Sequence, residues 1–136
     1  MKLVRIAKDQ AAAPKVPEWF PGTVVQQRLN EAEHDGAVEV LGVWFEAGSR
    51  TLPHTHEIDQ VLQCTEGEGI VATETEKILI RPGDVVVVPA GVWHWHGGTR
   101  DSAMCHLSFK AKGASNWEVE RRNWDAYGDD LPERPR

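Results

Sequence analysis

The sequence predicts an all-β domain, a sandwich or a small barrel. Short apolar runs recur through the middle of the chain, each cut off by glycine, proline or acidic turn residues. The runs are rich in Val, Ile and Thr, which pack well on a pleated surface. No apolar stretch keeps a helical period for long. Many short strands at this spacing fit a closed or two-layered β architecture.

The elements follow in order. Residues 1–21 read as an arm, marked by Ala11-Ala12-Ala13-Pro14 and further prolines. Trp19-Phe20 is too apolar to be left in water, so the arm is expected to dock there. The barrel core is expected over residues 36–112. Val38 to Phe45 is its first run, ended by Ala47-Gly48. His56 to Cys64 is the second, ended by Glu66-Gly67-Glu68-Gly69. Ile70 to Thr75 and Lys77 to Ile80 flank a turn. Pro82-Gly83-Asp84 opens Val85 to Val88, which Pro89-Ala90-Gly91 stops. Met104 to Lys110 is the last clear strand. The tail, 113–136, is polar, with Trp117, Trp124 and Tyr127 as anchors. It has room for one or two helical turns before Pro132 and Pro135 make its end extended. No repeat and no linker divides the chain, so residues 1–136 read as one domain.

Composition narrows the partners. The chain has 136 residues, 40% of them hydrophobic, and a net charge of −6. That charge argues against nucleic acid and anionic membranes. No apolar run approaches a membrane span. No signal-peptide stretch follows Met1-Lys2-Leu3-Val4-Arg5. Cys64 and Cys105 are too few for a disulfide scaffold. The expected setting is therefore a reducing cytoplasm.

Five of the six histidines cluster: His54, His56, His94, His96 and His106. Side chains on a strand alternate faces. His54, His56 and Gln60 differ by even steps, so all three can face one way, with Glu57 and Asp59 opposite. The strand and turn from Val85 bring His94 to the same point. Three imidazoles and an amide oxygen make an N3O set with room for water or substrate. Such a set suits Mn, Fe, Co, Ni or Zn, and spacing alone does not choose among them.

These residues carry a resemblance. Gly48-x5-His54-x-His56-x3-Gln60-x6-Gly67 resembles the first cupin motif. Gly83-x5-Pro89-x-Gly91-x2-His94 resembles the second. There are two departures: Gln60 stands where the family usually has Glu, and Gly98 where it often has Asn. Trp19-Phe20-x-Gly22-Thr23-Val24, Gly48-x-Arg50-Thr51, His94-Trp95-His96-Gly97 and Ala103-Met104-x-His106-Leu107 are similar to small single-domain bacterial cupins. Some of these are manganese-dependent hydroxynitrile lyases with three His and one Gln as ligands; others have no assigned activity. The resemblance implies a cupin barrel, a divalent ion with manganese foremost, and a homo-oligomer, a dimer or a tetramer.

Gln60 is the informative departure. A neutral amide in place of a carboxylate leaves the ion its full divalent charge. That raises its acidity towards a bound oxygen and disfavours a trivalent state. Both tilt the chemistry towards acid–base work. The other reading is that Gln60 does not coordinate and three histidines alone form the site.

Met104, His106 and Ser108 share one face of the last strand. His106 is placed as general base beside the metal, and the matching histidine of the resembling lyases has that role. Thr51, three residues before His54, is either a second donor to the substrate oxygen or a turn hydroxyl. His96 is either a pocket residue or a core one. Leu41, Val43, Phe45, Leu62, Cys64 and Met104 are the expected wall of a small, dry pocket. Trp93 and Trp95 read as packing, and Cys64 is not a nucleophile. Three functions remain in view: Lewis-acid cleavage of a cyanohydrin, oxygen-dependent cleavage of a chelating enolate, and binding of a small ligand without turnover.

Overall fold

The computed structural model describes residues 1–117. The expected helical turns of the tail, with Trp124 and Tyr127, lie outside the described residues. Among the described residues ten strands run in chain order: β1 (Val24–Asn30), β2 (Val38–Phe45), β3 (Thr55–His56), β4 (Gln60–Gly67), β5 (Gly69–Thr73), β6 (Lys77–Ile80), β7 (Val85–Val88), β8 (His94–Gly98), β9 (Met104–Ala111) and β10 (Ser115–Asn116). No helix among the described residues is long and apolar enough to cross a membrane.

β1, β2, β9, β4 and β7 form a five-stranded sheet in that order. β6, β5 and β8 form a three-stranded sheet, and β10 pairs with β3. The ladders are antiparallel throughout. Val24, Val43, Phe45, Leu62, Cys64, Val88 and Met104 from the large sheet pack against Val71 and Ile80 from the small one. Apolar residues at alternate positions on both sheets thus make the core.

Register decides what each level of the inner face carries. At one end Phe45 lies opposite Met104. Next, Val43, His106 and Cys64 form a row, and then Leu41, Ser108 and Leu62. At the other end Glu39, Lys110 and Gln60 form the last row. The sheet therefore grades from apolar to polar along β9, and the site lies at the polar end.

Two strands differ from the sequence reading. β1 belongs to the large sheet and begins before the expected barrel boundary at residue 36; its polar run Gln26-Gln27-Arg28 hides a strand from hydropathy. The run His56 to Cys64 is broken at 57–59, so His56 ends β3 and Gln60 opens β4. Glu57 and Asp59 brace that break: Glu57 accepts from the Ala114 amide and Asp59 from the Ala90 amide.

Candidate metal centre

Three main-chain junctions bring the histidine pairs together. Residues His54 and His94 exchange both backbone hydrogen bonds, at 2.9 and 3.0 Å. The segment around Arg50 comes up against β8 at Gly97, where a Cβ would collide with the Ser49 carbonyl and Arg50. Gly91 has φ +78°, and its amide donates to the His56 carbonyl at 2.8 Å. An L side chain rarely adopts that φ, so the turn before His94 depends on glycine.

The side chains then converge. His54, His56 and His94 offer ring nitrogens all within 4.8 Å of one another. All three are buried, as is Gln60. His54 Nδ1 donates to the Leu52 carbonyl at 2.8 Å, and His94 Nδ1 to the Val92 carbonyl at 2.9 Å. A carbonyl only accepts, so the ring proton is on Nδ1 and the Nε2 lone pair is free. His56 Nδ1 instead meets the Ser115 hydroxyl at 2.6 Å. Gln60 Nε2 donates to Ser108 Oγ at 2.8 Å, which turns Oε1 inward.

That Oε1 lies 2.9 Å from His94 Nε2 and 3.2 Å from His56 Nε2. The His94 contact has no proton to share, since His94 Nε2 and the amide oxygen are both acceptors. A cation between them removes the repulsion. Two ligands about 2.1 Å from one ion and at right angles are about 3.0 Å apart. The three histidines therefore fit a divalent ion, and Gln60 Oε1 lies beside the same point.

Electrostatics point the same way. Burial is the first cause that lowers each histidine's pKa. His56 falls to about 3 and His94 to about 4, and His54 lies well below its ordinary value. Lys110 pushes all three further down, and neighbouring histidines do the same for His54 and His56. At neutral pH all three are uncharged, the form that binds metal.

His96 and His106 sit beside this set. His106 Nε2 and His96 Nδ1 are 2.8 Å apart, one donating to the other. His96 Nε2 and His106 Nδ1 are buried with no hydrogen-bond partner among the described residues. Burial holds both neutral, His106 at about 4. Phe45 packs its ring on both, at 5.9 and 5.2 Å. Thr51 Oγ1 accepts from the His96 amide at 3.2 Å, which leaves its own proton free to donate. His96, His106 and Thr51 all face one cavity of about 230 Å³ with His54, His56 and Gln60.

The pocket wall differs from expectation. Leu41 and Val43 line the cavity, but Phe45, Leu62, Cys64 and Met104 lie one layer deeper, in the core. The reason is register: they belong to the apolar end of the inner face. Nor is the cavity dry, for Arg28, Glu39 and Lys110 line it at the polar end. Trp95 is wholly buried with Ile70 and Ala72, which fits packing.

Several contributors lie outside the two histidine motifs. Trp117 stacks on His54 at 3.9 Å and on Trp19 at 4.8 Å. The arm residues Pro14, Val16, Trp19 and Phe20 complete the cavity. Ser108 and Lys110 were visible only as further even steps from His106. Ser115 gave no signal.

The Cupin domain family model matches residues 43–109. An (R)-mandelonitrile lyase of Granulicella tundricola is 37% identical over 113 residues, covering 82% of this chain and 86% of that protein. An acireductone dioxygenase of Leishmania major is 32% identical over 81 residues, 55% of this chain but only 23% of that protein. Among solved structures, a cupin-like protein of Thermotoga maritima superposes with a TM-score of 0.73. It is 30% identical, over 79% of this chain and 84% of that one. With its strand order, its two glycine-framed motifs and these relatives, the chain belongs to the cupin family.

Proposed function

We propose that this protein is a metal-dependent enzyme acting on a small oxygen-bearing organic molecule by Lewis-acid chemistry, with cyanohydrin cleavage the first reaction to test. The observation that carries this reading is the neutral donor set: three uncharged imidazoles and the Gln60 amide oxygen, aimed at one point by Leu52, Val92, Ser115 and Ser108. A divalent ion held there supplies a positive charge that stabilises a developing oxyanion. The proposed ion is manganese.

The chain's own groups do the rest. The Thr51 hydroxyl orients the substrate oxygen. His106, joined to His96, takes the hydroxyl proton; the carbon–carbon bond to the nitrile breaks, a carbonyl forms, and the proton leaves with cyanide. The stacked Trp117 and Trp19 keep bulk water from this end of the cavity. Similarity to the (R)-mandelonitrile lyase supports the choice of reaction.

The test is release of benzaldehyde from (R)-mandelonitrile by protein reconstituted with manganese, followed in an oxygen electrode. Expected is metal-dependent release without oxygen uptake, lost in His106→Ala. Release by metal-free protein at the same rate, or full activity in His106→Ala, refutes the assignment. Oxygen uptake with an enolate substrate would favour the dioxygenase reading, for which the acireductone dioxygenase match is the support.

We also propose a homo-oligomer. Val85 and Val87 are 57% and 56% exposed on edge strand β7, and Ile78 of β6 is exposed nearby in sequence order. An apolar edge of this kind is normally covered. Sedimentation of the purified protein tests it.

A further inference from the structure

The polar end of the cavity carries charges that a neutral substrate does not need. Among the described residues, Lys15, Arg28 and Lys110 line the cavity, and Glu39 is the opposing acid. This local excess of positive charge stands in a chain whose net charge is −6. Lys110 lies opposite Gln60 on one side and opposite Glu39 on the other. Opposed residues in an antiparallel ladder share a face. The ammonium group therefore belongs to the inner face, next to the proposed ligand set, and not to the solvated outer one.

Lys110 is held there at a cost. Its side chain is only 15% exposed. Among the described residues its contacts are long for three donors: Glu39 at 3.9 Å and Ser115 Oγ at 3.4 Å. Glu39 is shared with Arg28 at 3.6 Å. A buried ammonium is unfavourable unless it is well paired; desolvation lowers its pKa for that reason. The same Ser115 hydroxyl that Lys110 reaches also holds His56, so the cation is one hydroxyl away from the metal end.

We propose that the cavity takes a small organic carboxylate, its carboxylate on Lys110 and a second oxygen at the end lined by His54, His56 and Gln60. Hydroxy acids and oxo acids have this pattern. The inference rests on the reading that this cavity is the substrate site, and it names the substrate class of that site.

Mandelate and its uncharged amide, mandelamide, are the probes, titrated calorimetrically into manganese-loaded and metal-free protein. Wild type is expected to bind mandelate more tightly than mandelamide. Lys110→Met should weaken mandelate about ten- to a hundredfold, the range of one charge-assisted hydrogen bond, and leave mandelamide within about twofold. Lys110→Arg should keep the preference. Raising salt should weaken mandelate alone, which reads the charge without any substitution. Equal binding of acid and amide by wild type, no binding of mandelate at millimolar concentration, or equal mandelate affinity in wild type and Lys110→Met overturns the proposal. Metal content is measured separately. A protein that holds no metal but keeps the Lys110-dependent preference refutes the enzymatic reading and not this one.

Discussion

Removing the Ser115 hydroxyl tests the candidate metal centre at its most accessible support. His54 and His94 are oriented by main-chain carbonyls, which no side-chain substitution deletes. His56 is oriented by Ser115 Oγ at 2.6 Å. Ser115→Ala therefore frees one imidazole of three. Losing such an outer partner typically weakens metal binding about 10- to 100-fold. Ser115 is an exposed residue of a two-residue strand, so water can take over the hydroxyl's place. The expected loss is thus at the low end, about tenfold, or about 1.4 kcal/mol. Fold stability should hardly move, because β10 contributes no core residue. Calorimetric titration of Mn²⁺ into metal-free protein reads the affinity, and thermal melting of the same sample reads the fold. Unchanged affinity would show that His56 is not a ligand or is held by something else. A drop in melting temperature without metal would show that Ser115 supports the fold instead.

Three further outcomes are expected. Ser108→Ala leaves the Gln60 amide without its acceptor in a buried place, at about 1–3 kcal/mol, and lets the amide turn; weaker metal binding with an unshifted melting midpoint would separate the two effects, and no change in either would refute the role given to Ser108. Leu62→Ala should cost about 2–5 kcal/mol of stability, since Leu62 is fully buried in the core and not in the cavity wall; a denaturant midpoint near wild type contradicts that placement. For pH, the buried histidines have ordinary values near 6.5 and folded values near 3 to 4 for His56, His94 and His106. Between these limits the unfolded chain binds more protons, so stability of the metal-free protein rises with pH across about 4 to 6.5 and levels off above. A melting temperature flat over that interval would show the histidines are not held neutral by burial.

The strands that hydropathy revealed are those with apolar residues on the inner face. Val38–Phe45, Lys77–Ile80 and Val85–Val88 have the expected limits. β1 was missed because Gln26 and Arg28 face a polar cavity, so alternation there carries no hydrophobic signal. The histidine pairs were legible because ligand spacing on a strand is local. What supports them was not. Ser115 and His56 are 59 residues apart, Gln60 and Ser108 are 48 apart, and Trp117 reaches His54 only once the chain is folded.

The sequence by itself determined the β class, the two glycine-framed motifs and the neutral character of Gln60. Each depends on residue type and short-range spacing, which period-two strands and positive-φ turns convert directly into geometry. The tertiary structure alone decided the rest: the proton placement on His54 and His94, the depth at which Phe45, Leu62, Cys64 and Met104 lie, and the presence of Lys110 beside the site. These follow from strand register, and register sums contacts between distant segments that no local pattern records.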